Sequence, residues 1–297
     1  MRSMKSTDIE KTGTPEKGCL YITATPIGNL GDMSPRAVEV LRGADLIAAE
    51  DTRNTLRLLN HFEIRTPMTS YHEFNRFDKA GELVSLMLAG KKVAIVTDAG
   101  TPCISDPGEV LVAACHEAGV PVTSIPGPSA VITALTLSGF SARRFVFEGF
   151  LPPKAKKRER REALERLADE TGTIILYEAP HHLIDTLREL ADCLGAERRI
   201  ALCREMTKLH EEVIRTTIGE AAGLTPRGEY VLVIEGKDKE ALAARRQEAF
   251  EALSVEEHLE RYLRQGLDRK AAMKQVAADR NVSRRDIYRE LENLKIK

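Results

Sequence analysis

Short apolar runs of strand length recur along the first 125 residues, and stretches with helical punctuation separate them. The runs are Cys19-Leu20-Tyr21-Ile22-Thr23-Ala24 and residues 45–49, 92–96 and 121–125. Between them, Ser34-Pro35 opens a helix with serine as N-cap and proline in the first turn. Residues 79–89 and 107–118 read as further helices, the second ending at Gly119 as a C′ glycine. Strands alternating with helices constrain the chain to a largely parallel sheet covered on both faces, an α/β fold.

The pattern then changes twice. A helix through residues 132–135 stops near Gly139, and Phe145-Val146-Phe147-Glu148 starts a new section. That section holds a charged helix from Lys154 to about Glu170 and strand candidates at 173–177, 199–203 and 229–235. It reads as a second α/β domain. Residues 238–297 carry no strand signal, no proline and one glycine, so they are expected to be all helical. The expected plan is a disordered lead-in at 1–17, an N-terminal α/β domain at 18–142, a second α/β domain at 143–237 and a small helical C-terminal domain at 238–297.

Composition narrows the setting. At 297 residues, 42% apolar and 30% charged, the chain has enough apolar material for a buried core in two or three domains. A formal net charge of -1 gives no global field for nucleic acid or membrane, so any nucleic-acid affinity must be local. No run of about 18 apolar residues predicts a spanning helix, and residues 1–17 lack a signal-peptide apolar core. Cys19, Cys103, Cys115, Cys193 and Cys203 are odd in number and scattered, which argues against a disulfide framework and for a cytoplasmic setting.

Parallel sheets bind ligands beyond the carboxyl ends of their strands. None of the loops there holds G-x-G-x-x-G, G-x-x-x-x-G-K-[ST] or G-x-S-x-G, and no spacing predicts a metal site. Three other loops stand out: residues 25–32, residues 97–108, and Pro126-Gly127-Pro128-Ser129-Ala130. The second is built of small residues with two prolines, so backbone can approach a ligand closely, and its carboxylates suit ribose-like hydroxyls. One such loop is usually only a tight turn. Three on one sheet edge predict a small-molecule cleft.

Taken with Ala49-Glu50-Asp51-Thr52-Arg53, Tyr71-His72-Glu73, Tyr177-Glu178-Ala179-Pro180-His181 and Arg204-Glu205-Met206-Thr207-Lys208, these loops resemble the tetrapyrrole methylase superfamily. Within it, they resemble the branch that methylates small-subunit (16S) ribosomal RNA as a cytidine 2′-O-methyltransferase. The matching stretches keep the family's order from about residue 19 to 237. Phe74, Cys103 and His182 depart from the family pattern, at positions usually polar, aliphatic and basic.

The resemblance implies two α/β domains of tetrapyrrole methylase type that clasp S-adenosylmethionine at their junction. Pro26, Asp98, Gly100, Ile104, Ser105, Ser129 and Ala130 would come from the first domain, and Tyr177, Met206 and Val231 from the second. It also implies a homodimer and small-subunit ribosomal RNA within an assembled subunit as partner, and the spacing of His and Cys adds the expectation of no metal. A base near the ribose hydroxyl would aid its deprotonation, with Asp51, His72 and Glu73 as candidates and the choice open. Arg53 could hold a phosphate bidentately, and Asn75 could orient a base edge. A Glu-Asp-Thr-Arg run at a strand-to-helix junction is equally an N-cap with dipole-favoured acids.

Two local basic stretches could meet RNA. Lys154 to Arg166 holds seven Lys/Arg against three Glu, and Asp268 to Lys297 holds nine Lys/Arg against five Asp/Glu. The first reads more simply as a solvated helix face. The second resembles a helix-turn-helix, with Ser283 capping a helix that presents Arg284, Arg285 and Arg289 to phosphates. Two other functions stay open: a tetrapyrrole (precorrin-type) methyltransferase, disfavoured by the missing Gly-rich loop, and a non-catalytic RNA-binding factor in ribosome assembly.

Overall fold

The computed structural model describes residues 18–238, 250, 253–280 and 282–295; the lead-in expected at 1–17 lies outside the described residues. The first sheet comprises β1 (Leu20–Thr23), β2 (Leu46–Ala49), β3 (Met68–Ser70), β4 (Val93–Val96) and β5 (Val122–Ile125). Its order is β3-β2-β4-β1-β5 and every pairing is parallel. Both faces are covered. Leu41 of α1 (Pro35–Gly43) and Leu59 of α2 (Thr52–His61) pack with Tyr21, Ala94 and Val96. Leu83 and Met87 of α3 (Arg76–Leu88) and Leu111 of α4 (Gly108–Ala118) pack with Leu20, Val93 and Ile95. Successive residues of β4 thus feed opposite cores, which is why its sequence is apolar throughout.

Local signals operate as the sequence predicts. Ser34 Oγ accepts from Ala37 N–H at 3.1 Å, and Gly119 closes α4 in the left-handed region at φ 72°. The edge strand β3 was not anticipated. It is three half-buried residues, too short and too polar for a strand signal.

Strand order fixes where a ligand can sit. β1 and β4 are neighbours, yet α1 and α4, which follow them, lie on opposite faces. The chain therefore leaves β1 and β4 toward opposite faces, which makes their carboxyl ends a switch point of the sheet.

The second sheet comprises β6 (Phe145–Phe150), β7 (Thr173–Glu178), β8 (Arg199–Arg204), β9 (Glu212–Thr217) and β10 (Tyr230–Ile234). The order is β6-β7-β10-β8-β9; only β6 and β7 are parallel. β9 was not anticipated either, since its EVIRTT sequence is that of a half-exposed edge strand. Between the sheets, α5 (Ala130–Ser138) lays Val131, Ala134 and Leu135 on Ile175, Ala201, Cys203 and Val233. α6 (Lys157–Ala168), α7 (Leu183–Leu194) and the short α8 (Ile218–Ala221) complete this section.

Residues 165–172 and 236–297 form a compact unit of their own. Among its described residues lie the helices α9 (Val255–Arg264), α10 (Arg269–Asp279) and α11 (Arg284–Lys295), around Val255, Leu259, Val276, Ala277 and Ile287. Ser254 and Glu257 form a capping box on α9, Asp268 caps α10, and Ser283 accepts from Asp286 N–H at the start of α11. No helix among the described residues is long and apolar enough to cross a membrane.

Candidate active site at the switch point

The loops after β1 and β4 are joined by a two-residue antiparallel bridge. Thr25 N–H donates to Gly100 O at 2.9 Å, and Gly100 N–H returns a bond to Thr25 O at 3.1 Å. Gly100 sits at φ +87°, and a Cβ there would lie 3.2 Å from Ile27 Cγ2. Pro26 is buried beside this bridge. The loop after β1 also meets the turn after β8: a Cβ on Gly28 would collide with Lys208 Cγ at 2.5 Å and Thr207 Oγ1 at 2.8 Å. Glycine is required there by space.

Of the cofactor candidates, Met206 and Val231 are buried in one apolar cluster, with Ile27, Ala130 and Tyr177 packed against it. Ser129 precedes α5 and makes no side-chain cap, which leaves the first-turn N–H groups without that partner. Ile104 and Ser105 are exposed, and Ser105 adopts φ +62°. Ser105 also faces β6, where a Cβ on Gly149 would lie 2.8 Å from its Oγ. Asp98 is exposed, and its carboxylate is a brace: it accepts from Asp51 N–H at 3.2 Å and from Asn54 Nδ2 at 2.9 Å. Thr97 Oγ1 donates to Glu50 Oε2 at 2.6 Å alongside. The loops after β2 and β4 are thereby locked together.

The RNA-branch candidates occupy the loops after β2 and β3. Asp51 is the N-cap of α2, as the alternative reading of this run foresaw, and accepts from Arg53 N–H at 2.8 Å. Arg53 also grips its carboxylate with two side-chain bonds, of 3.1 and 2.7 Å. These side-chain bonds, then the backbone bond, pull the Asp51 pKa down to about 2, so its proton affinity is low for a general base. Glu73 is paired with Arg76 at 2.6 Å. Asn75 Oδ1 accepts from His72 N–H, and Asn75 Nδ2 donates to Ser70 O at 3.2 Å, which stiffens the His72–Asn75 turn.

His72, Glu73, Phe74 and Arg76 line one wall of an open cleft of about 660 Å³, facing Glu50 and the stretch from Cys103 to Glu109. Phe74 is 96% exposed and meets His72 edge-on. Sequence reasoning offered Asp106 only as one of two loop carboxylates suited to ribose-like hydroxyls, and Phe74 only as a departure from the family pattern. Burial raises the Asp106 pKa above 3.8, as does the Glu50 charge more weakly, against bonds from Gly108, Cys103 and Ile104 N–H groups. Burial, then Asp106, pushes the Cys103 thiol up to about 12, so it stays protonated.

The segment from Cys19 to Ala222 matches the profile of Tetrapyrrole (Corrin/Porphyrin) Methylases. The chain belongs to the tetrapyrrole methylase family. Within this family, a "Ribosomal RNA small subunit methyltransferase I" of Synechocystis sp. is 49% identical over 275 residues, 91% of this chain and 96% of that protein. The protein of the same name from Halalkalibacterium halodurans is 45% identical, covering 92% and 94%. A uroporphyrin-III C-methyltransferase from Thermus thermophilus, solved complexed with S-adenyl homocysteine, shares the fold at a TM-score of 0.52 and 16% identity, covering 73% of this chain and 91% of that one. Phe74 and Cys103, two of the three departures from the family pattern, both line the cleft.

The first basic stretch is largely spoken for. Arg160 is buried, donating to Glu189, to Pro152 O and to Thr186 Oγ1, while Lys154, Lys156 and Arg158 sit in ion pairs. Arg284, Arg285 and Arg289 on α11 are exposed. Among the described residues no group of three His, Cys, Asp or Glu could hold a metal.

Proposed function

We propose that this chain transfers the methyl group of S-adenosylmethionine to the 2′-hydroxyl of a cytidine in small-subunit ribosomal RNA. The observation that carries the reading is adjacency at one sheet edge. The small-residue loops after β1, β4 and β5 abut the loops after β2 and β3, whose residues the resemblance assigns to RNA. Near identity in length and close to half identity in sequence to the rRNA methyltransferases favour the same reading over a tetrapyrrole substrate.

The residues fit the methyl donor. Gly100 offers backbone without a side chain, Tyr177, Met206 and Val231 offer an apolar wall, and the uncapped α5 offers N–H groups to a carboxylate. S-adenosylmethionine supplies an electrophilic methyl on a sulfonium that leaves readily. The protein's tasks are then to align the ribose oxygen, exclude water and accept a proton. Pro26, Ile104, Ser105, Ser129 and Ala130 frame the donor and Asp98 braces its loop. Arg53 meets a phosphate, Asn75 a base edge, and His72 and Glu73 border the ribose. Arg284, Arg285 and Arg289 add phosphate contacts from the helical tail. The working form is a homodimer in the cytoplasm acting on an assembled small subunit.

Incubation with methyl-labelled S-adenosylmethionine and small ribosomal subunits tests this. Label in ribosomal RNA is expected; label only in a porphyrinoid acceptor, or in no acceptor, overturns it.

A further inference from the structure

Three buried polar atoms without a hydrogen-bond partner come from residues that line the same cleft: His72 Nδ1, Arg76 Nε and Asp106 Oδ2. Buried polar groups are almost always satisfied, so three orphans along one cleft ask for an external partner. The Asp106 oxygen is the most telling. Its sister, Oδ1, accepts from Gly108 N–H at 2.8 Å and thereby fixes the carboxylate at the start of α4. The Cys103 and Ile104 N–H groups also bear on the carboxylate, yet Oδ2 itself completes no hydrogen bond, so the group is oriented before any substrate arrives.

Its position joins the two halves of the site. Asp106 directly follows Ile104 and Ser105 of the donor-side loop, and its charge bears on Tyr177 of β7. On its other side the cleft wall is made by His72 of the loop after β3 and Arg76 at the start of α3. Asp51 is held by Arg53 and Glu73 by Arg76, so neither carboxylate is idle in this way.

Resting on the reading that the acceptor is a ribose 2′-hydroxyl, we propose that Asp106 is the general base of the reaction, receiving the hydroxyl proton on Oδ2 in this cleft. The ribose oxygen forms its bond to the methyl carbon as the carbon–sulfur bond breaks, and that electron pair returns to sulfur, leaving a neutral thioether. The proton passes to Asp106 and then to water. Burial and the Glu50 charge, which raise the Asp106 pKa, move its proton affinity toward that of an effective base at neutral pH. The ionisable groups around it are Glu50 just after β2, Tyr71, His72 and Glu73 from the loop after β3, Arg76 at the start of α3, Tyr177 from β7, and Cys103 and Glu109 of its own segment.

The test is single-turnover methyl transfer to small subunits by wild type, Asp106→Asn and Asp106→Glu, from pH 5 to 9, with donor affinity measured by calorimetry. Asparagine keeps an oxygen that can accept from Gly108 N–H. Asp106→Asn is expected to bind the donor within about threefold of wild type yet transfer methyl on the order of 10²–10⁴-fold more slowly. The wild-type acid limb should vanish in Asp106→Asn and persist, at reduced rate, in Asp106→Glu. An active wild type alongside an Asp106→Asn variant that keeps both its rate and its acid limb overturns the proposal and leaves the methyltransferase reading standing. If Asp106→Asn does not fold, a wild-type rate independent of pH down to 5 overturns it instead. A folded wild type that labels no ribose overturns the methyltransferase reading, and this proposal with it.

Discussion

Asn54 Nδ2 donates to Asp98 Oδ2 at 2.9 Å, tying the first turn of α2 to the loop after β4. The contact couples the start of α2 to the loop after β4, so a change at Asp98 is felt in both. Asp98→Ala should weaken S-adenosylmethionine binding about tenfold, or ~1.4 kcal/mol. Gly100→Val should weaken it more than about a hundredfold, because valine is strained at φ +87° and its Cβ crowds Ile27. Calorimetry on both variants, with thermal unfolding as a fold check, gives the answer; wild-type affinity in both would place the donor elsewhere.

Phe74 exposes nearly its whole ring at the mouth of the cleft, an arrangement that costs apolar hydration unless something stacks on it. RNA-modifying enzymes splay a base out and stack it on an aromatic side chain. Phe74→Ala should raise KM for the ribosomal substrate roughly tenfold or more, consistent with stacking worth about 1–3 kcal/mol, and leave donor affinity unchanged. Steady-state kinetics with each substrate varied separates the two effects. An unchanged KM would leave the ring without a role in RNA binding.

These two residues mark where sequence reading reached and where it stopped. The loops after β1, β4 and β5 were legible as loops because small residues and prolines punctuate apolar strands, and Ser34 and Gly119 punctuate helices by purely local chemistry. Asp106 was visible as part of its loop, but an idle buried oxygen is a property of tertiary packing. The pairing of Asp51 with Arg53 was half legible, since an N-cap two residues before an arginine announces the cap and not the ion pair. β3 and β9 were missed because edge strands lack the two-sided burial that makes β4 read as a strand. In the run from Lys154 to Arg166, nothing local distinguishes buried Arg160 from its ion-paired neighbours.

The tail's exposed arginines should contribute to RNA affinity through phosphates alone. Replacing Arg284, Arg285 and Arg289 together with alanine should weaken subunit binding and lower the slope of log affinity against log salt by roughly one unit per lost contact. Donor binding should not change. Filter binding across a salt series is the measurement; an unaltered slope would assign α11 another role.

Within the tail, His258 is fully buried, accepts from Arg280 Nε at 3.2 Å and stacks on Phe250 at 4.3 Å. Burial, aided by the Arg280 charge and opposed by Asp279, lowers its pKa below 6.5. A depressed histidine is neutral when folded and takes up a proton on unfolding. Its contribution is therefore complete above about 6.5 and is lost as pH falls through the folded value. Amide exchange at Val276 and Ile287, corrected for intrinsic rates, should show weaker protection at pH 5.5 than at 7.5. His258→Phe should remove most of that difference; equal protection at both pH values in wild type would contradict it.

The most direct test of the central reading is the chemical identity of the product. Small subunits from a strain lacking this enzyme are incubated with the purified protein and methyl-labelled S-adenosylmethionine, and the RNA is digested to nucleosides. The account predicts label as 2′-O-methylcytidine, at a linkage that has become resistant to alkali. Label on a base ring, or ribosomal RNA without label while a porphyrinoid acceptor is methylated, would contradict it.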